Sequence, residues 1–341
     1  MIYSVLSQKY NVLKTAGNFN NEIGLPLTIF NIRDEHQVAV LEMGISDFGE
    51  MSRLAKIARP DICVITNIGL CHLENLGDRD GILKAKTEMF QFRQPNAKII
   101  LNGDDDKLIT VKDWDGCDPI YFGLSTECSG YAEDIHSLSL KGTTCTLHIG
   151  KDSLKVRIPI PGRHMIYNAL AGALVGRELG LNTDEIKSGI ESLVPVSGRN
   201  NMIETETFLI IDDCYNANPI STKASLDVLS SADTRKVAIL GDMFELGENE
   251  KDLHNSVGQY AAQKGIDLCI CIGDLSEHTA SGATSESFKL NNNVSVLHFK
   301  TKADFLQKMN TLLQKGDTIL VKASHGMNFP EIVEKLQECK L

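Results

Sequence analysis

The sequence contains no phosphate loop of the form G-x-x-x-x-G-K-S/T. Gly150-Lys151 is followed by Asp152 and has no glycine at the required upstream spacing, so it does not supply one. There is no G-x-G-x-x-G fingerprint either, which leaves a dinucleotide cofactor without its usual binding turn. The nine cysteines include no C-x-x-C pair, and Cys63, Cys269 and Cys271 fall inside apolar, strand-like runs. That pattern excludes a disulfide framework or a zinc ribbon and is what reduced thiols in a cytoplasm look like. No Lys/Arg-rich run is present, and 45 acidic against 34 basic residues give a formal charge of -11, which argues against a nucleic-acid surface. No apolar stretch approaches the length of a membrane span, so no membrane insertion is expected. Met1-Ile2-Tyr3-Ser4 opens without the basic region and sustained apolar core of a secretory signal, and a cytoplasmic location is expected.

What is present is an ordinary globular composition, 42% apolar and 23% charged, in a chain of 341 residues, long enough for two domains. Short apolar runs at 11–15, 38–43, 62–65 and 97–101 alternate with helix-like segments, which predicts a parallel α/β sheet. From Ile120 to Pro161 the pattern changes to strict alternation, as in TTCTLHIG and SLKVRIPI; a small antiparallel β region with hairpin turns follows, set beside the parallel sheet as an insertion or side subdomain. A helix opens at His164, a second spans Thr183 to Leu193 and stops before Pro195, and Val196 to Arg199 reads as a linker. Further strands are expected at 208–212, 236–241, 268–273, 294–299 and 318–322. The fold class is therefore α/β: a mononucleotide-binding-like central domain over 1–196 and a Rossmann-like domain over 197–341.

Ligands collect where buried parallel strands end. Glu42 lies near the end of the run VAVLEM, Asn67 just beyond ICVIT, His72 in the following loop and Lys86 in the helix after it. A carboxylate, an imidazole and a lysine at neighbouring strand ends suit a phosphate or metal site; solvated loop residues and a surface helix lysine are the ordinary alternative. Asn18, Asn20 and Asn21 crowd the loop that leads to Pro26. They serve either as turn formers or as amides held for a polar substrate. His164 and Asn168 are four apart and share a helix face among small residues. An amide in a helix of small residues needs a partner, either a nearby backbone group or a planar ligand such as a nucleobase.

Eight segments in one order carry a resemblance: TAGNFNNEIGLPLTI (15–29), LEMGIS (41–46), ITNIGLCHLENLG (65–77), KAKTEMF (84–90), GRHMIYNALAGALVG (162–176), DDCYNANPIST (212–222), LGDMFELGE (240–248) and GDTILVKAS (316–324). Together they resemble the Mur ligases of peptidoglycan synthesis, and the NANP and GDMFELGE segments point to a member that handles D-alanyl-D-alanine. The family has three domains: a UDP-sugar-binding domain, an ATPase domain and a Rossmann-like lid. This chain resembles the second and third, beginning after the family's phosphate loop, and by itself is expected to be a weak ATPase. Another ligase of the same fold, such as a folylpolyglutamate synthase, and a non-catalytic remnant are the competing expectations.

The resemblance implies ATP and Mg2+ as cofactors, UDP-N-acetylmuramoyl-tripeptide and D-alanyl-D-alanine as small-molecule substrates, and a monomer. It implies that Glu42 and His72 are metal ligands and that Lys86 is carbamylated, its new carboxylate helping to hold a second magnesium. It assigns His164 and Asn168 to adenine, Arg199, Asp213 and Asn216 to the nucleotide, and Thr15, Asn20, Asn21 and Asn218 to substrate. The family tends to carry Gly and Arg where this chain has Ala323 and His325, a departure in the C-terminal loop.

Overall fold

The computed structural model describes residues 1–340, which divide into two compact units. The first comprises Met1–Leu138, Gly142–Pro159 and Arg163–Leu193; the second takes Ser139–Lys141, Ile160–Gly162 and the chain from Val194 onward.

In the first unit, β1 (Val12–Lys14) and β2 (Val38–Val40) form a parallel pair of their own. A separate six-stranded sheet runs in the order β3 (Ile62–Ile65), β4 (Lys98–Asn102), β5 (Ile120–Gly123), β6 (Gly130–Ser137), β7 (Thr143–Ile149) and β8 (Asp152–Ile158). Strands β3 to β6 pair in parallel and β6 to β8 antiparallel. The alternating segment is therefore not an insertion or side subdomain, as its pattern suggests, but the continuation of the parallel sheet. Its alternation is clearest in β8, where exposed residues face solvent and the other face lies under the helices His164–Glu178 and Thr183–Glu191. Gly130, where β6 joins β5, lets that helix come close: a Cβ there would sit 3.1 Å from Leu174. The core on the β3–β4 side gathers Leu54, Ile82, Phe90, Ile99 and Leu101.

The second unit holds a sheet in the order β13-β12-β11-β14-β10-β9, made of β9 (Asn201–Glu204), β10 (Leu209–Asp212), β11 (Lys236–Gly241), β12 (Leu268–Ile272), β13 (Ser295–Phe299) and β14 (Thr318–Lys322). All neighbours are parallel except β9, an antiparallel edge strand. Its four residues, NMIE, are at most partly buried, and the expected strands of this unit begin only at 208. Strands β11, β12 and β14 are buried almost throughout and separate two apolar clusters, one on each face.

His254 is fully buried in this unit. Its Nε2 accepts the Met243 N–H at 2.9 Å and its Nδ1 donates to the Glu250 carbonyl at 2.7 Å, which fixes the neutral tautomer. Burial, the main cause, holds its pKa below the ordinary imidazole range. The unfolded chain therefore takes up a proton, below about pH 6.5, that the folded chain refuses, and stability is lost as pH falls by up to about 1.4 kcal/mol per pH unit. Urea unfolding at a series of pH values should show this slope in the wild type and a flatter one in His254→Gln. Parallel curves would contradict it.

Candidate active site

In the first unit, the residues expected to bind substrate and metal divide into engaged and available groups. The Thr15 N–H donates to Val40, and Thr15 Oγ1 accepts the Glu42 N–H at 2.9 Å, carrying the ladder just past the end of β2. Asn20 Nδ2 donates to Glu42 Oε1 at 3.1 Å, so Thr15, Asn20 and Glu42 come together at one strand end. Gly44 makes room for this contact, since a Cβ there would lie 2.8 Å from Asn20 Nδ2. Asn21 turns elsewhere: its Oδ1 accepts the N–H groups of Ile23 and Gly24 at 3.2 and 2.8 Å and tethers the start of the helix Gly24–Ile29.

Beyond β3, the Ile68 peptide is held from both sides. Its N–H donates to Asp105 Oδ2 at 2.8 Å, and its carbonyl accepts from Arg79 Nε at 2.9 Å. Arg79 is itself paired with Asp106 through both terminal nitrogens. His72 sits in the left-handed region at φ 54° and opens the short turn Leu73–Leu76. Lys86 Nζ donates to the Asn67 carbonyl at 3.3 Å, which places the ammonium at the carboxyl end of β3. Both ends of the helix Arg79–Thr87 thus reach the strand ends, the first residue through the Ile68 carbonyl and the last turn through Lys86.

Among the described residues, no three or more His, Cys, Asp or Glu side chains are gathered as a metal cage. Magnesium commonly takes one or two carboxylates and completes its shell with water and substrate phosphates. Glu42 is an exposed carboxylate of that kind. Lys86 as an ammonium would repel a cation and could join such a set only after conversion to a carbamate.

On the helix His164–Glu178, His164 is exposed at the start and Asn168 half-buried. The Asn168 Nδ2 meets Met165 Sδ at 3.4 Å, a weak acceptor that leaves most of the amide's capacity for another group. The small residues around it are not an open face: Ala169, Ala171 and Ala173 are buried, and Gly172 and Gly176 lie against Met1 and Val5. Sequence reading missed the adjacent Tyr167, whose hydroxyl donates to Asp104 Oδ2 at 2.9 Å. Burial, then the Asp104 carboxylate, push its pKa up to about 12. The run N-G-D-D-D after β4 was the available signal.

The second unit assembles its own cluster. Arg199 lies over the ring of Tyr215, 4.3 Å from its centroid, and His325 flanks the same ring at 5.8 Å. The Asp213 carboxylate accepts from the Asn200 N–H at 3.0 Å, Ser225 Oγ at 2.5 Å and Lys322 Nζ at 2.6 Å. Asn218 caps the helix Pro219–Ser230 by accepting the Ser221 N–H at 2.8 Å, and Asn216 Oδ1 accepts the Ala217 N–H at 2.9 Å. Both asparagines thus serve the local backbone. Tyr215 and Lys322 were missed; a lysine closing the apolar run TILVK was the clue.

The sequence matches the Mur ligase middle domain over residues 1–176 and the Mur ligase glutamate ligase domain over residues 198–325. It is 38% identical to the UDP-N-acetylmuramoyl-tripeptide–D-alanyl-D-alanine ligase of Bacillus subtilis, covering 100% of this chain and 73% of that protein. Identity to the protein of the same name from Escherichia coli is 35%, covering 99% and 74%. Among solved structures, MurF from Acinetobacter baumannii superposes with a TM-score of 0.90 at 30% identity, covering 99% of this chain and 73% of that one. MurF from Thermotoga maritima in complex with ADP gives 0.85 at 28% identity, covering 99% and 75%.

Gly44→Ala tests the Asn20–Glu42 contact. The added methyl meets the tip of a movable side chain, so stability should change by less than about 1 kcal/mol while the Asn20 amide is driven off Glu42. A crystal structure of the variant with the 3.1 Å contact intact would contradict this.

Proposed function

The chain belongs to the Mur ligase family, and from that premise we propose that it joins D-alanyl-D-alanine to UDP-N-acetylmuramoyl-tripeptide at the expense of ATP. The observation that carries the reading is the placement of Lys86 at the carboxyl end of β3, in a chain matched along its whole length by ligases of that name. In the reaction, an oxygen of the tripeptide carboxylate attacks the γ-phosphorus of ATP and ADP leaves. The amine of D-alanyl-D-alanine then attacks the acyl carbon, loses a proton and displaces inorganic phosphate. Little covalent chemistry falls to the protein; its task is to position charged reactants and offset their charge.

Glu42, turned by the Asn20 amide, and Lys86 as a carbamate would hold magnesium, with His72 as a further ligand; the cation would offset charge on the phosphates. Carbon dioxide adds only to a neutral amine, so the carbamate forms on the deprotonated fraction of Lys86. Asn168 contacts adenine through an amide that Met165 engages only weakly, with His164 one turn earlier on the same helix. Arg199, seated on Tyr215, meets phosphate. Thr15 and Asn20 face the peptide substrate beside Glu42. The nine cysteines are all free thiols, which supports a cytoplasmic setting, and we place the enzyme there as a monomer.

The reading is tested in a chimera that sets the N-terminal part of the Bacillus subtilis relative before Met1. Phosphate release should require both UDP-N-acetylmuramoyl-tripeptide and D-alanyl-D-alanine. Lys86→Ala should lower the rate at least about tenfold, with partial recovery on adding short-chain carboxylic acids. A folded chimera without release dependent on both substrates would overturn the function, and full activity of Lys86→Ala would remove the carbamate. Asn168→Leu should raise the KM for ATP and leave the melting temperature nearly unchanged; an unchanged KM would return Asn168 to a packing role.

A further inference from the structure

Lys322 ends β14, an inner strand of the second unit's sheet, and is 3% exposed. A lysine so deeply placed is rare unless every proton finds an acceptor. Here the ammonium reaches Asp213 Oδ2 at 2.6 Å, the Asn216 carbonyl at 3.0 Å and the Asp213 carbonyl at 3.4 Å. Its partners are confined to one turn, and Tyr215 lies between the two residues whose carbonyls it holds. The other oxygen of the Asp213 carboxylate takes the N–H of Asn200, the residue immediately after Arg199. Two further bonds close the same unit: the Tyr215 N–H donates to the Gly198 carbonyl at 3.0 Å, and the Gly198 N–H donates to Asp212 Oδ2 at 2.8 Å. Both sides of the Arg199–Tyr215 stack are thus anchored to one buried ion pair.

A buried ion pair is weak evidence for stability, because desolvation offsets much of its attraction; what it does supply is a defined geometry. We propose that Lys322, acting through Asp213, is a positioning residue for the nucleotide: it fixes the turn that seats Arg199 on Tyr215 and so aims the guanidinium at phosphate. The proposal rests on the nucleotide-binding reading above. It also gives Asp213 a different part from direct ligand contact, since three donors already engage its carboxylate.

The test uses the full 341-residue chain and three variants: Lys322→Met, Lys322→Arg, and the double variant Asp213→Asn with Lys322→Met, which leaves no uncompensated buried charge. Hydrogen exchange reports the segments 198–200 and 213–218, calorimetry the affinity for ADP, and thermal unfolding the stability. Lys322→Met should speed exchange in both segments and weaken ADP binding about tenfold or more. Lys322→Arg should restore part of the affinity. The double variant should regain melting temperature without regaining affinity, a split that a purely structural lysine would not produce. Unchanged exchange in Lys322→Met, or ADP affinity that simply follows melting temperature across the set, overturns the proposal. Equal ADP binding by wild type and Lys322→Met overturns it while sparing the nucleotide reading, whereas no ADP binding by the wild type overturns that reading and the proposal with it.

Discussion

A sheltered backbone N–H or C=O must find a partner, and loops at strand ends have no ladder to provide one. That constraint sorts the polar residues of this chain. Asp105 takes the Ile68 N–H beyond β3, and Glu88 takes the N–H groups of Gly49 and Ser52 at the head of the helix Glu50–Ala58. Asn21 and Asn218 tether helix starts, and Asp213 takes the Asn200 N–H. These side chains build the loops. Glu42, Lys86, Asn168 and Arg199 are left with few or weak partners inside the fold, which suits them to the ligand roles proposed above. The division follows from hydrogen-bond geometry and not from residue type, since asparagines and acids fall on both sides of it.

The same sorting explains how much could be read from the sequence. Parallel strands such as Ile62–Ile65 and Leu268–Ile272 announce themselves as apolar runs, and the polar residues just past the first of them are the site candidates. Periodicity shows which face of a strand is wet but not which strand it pairs with, so β5 to β8 read as a separate antiparallel region although β4, β5 and β6 join in parallel. Asn20 and Asn21 are indistinguishable in the sequence, yet one faces Glu42 and the other tethers a helix. Lys322 stayed hidden because its meaning depends on Asp213, more than a hundred residues away in the chain. The edge strand Asn201–Glu204 was lost to its brevity and partial exposure.

Electrostatics follow a consistent pattern. The chain carries a formal charge of -11, yet the second unit sets the Arg199 guanidinium over Tyr215 just past β10, and in the first unit the carbamate on Lys86 would draw a magnesium ion to the end of β3. Local cations on an acidic protein favour phosphorylated ligands without making the surface attractive to nucleic acid. Reaction through an acyl phosphate places similar demands, because a carboxylate must approach a polyphosphate against like-charge repulsion.

Isotope transfer tests that account most directly. With oxygen-18 in the terminal carboxylate of the tripeptide substrate, the chimeric enzyme should release inorganic phosphate that carries the label, because the carboxylate oxygen that attacks phosphorus leaves with it. Product formed at a normal rate with unlabelled phosphate would contradict the acyl-phosphate route and the site built around it.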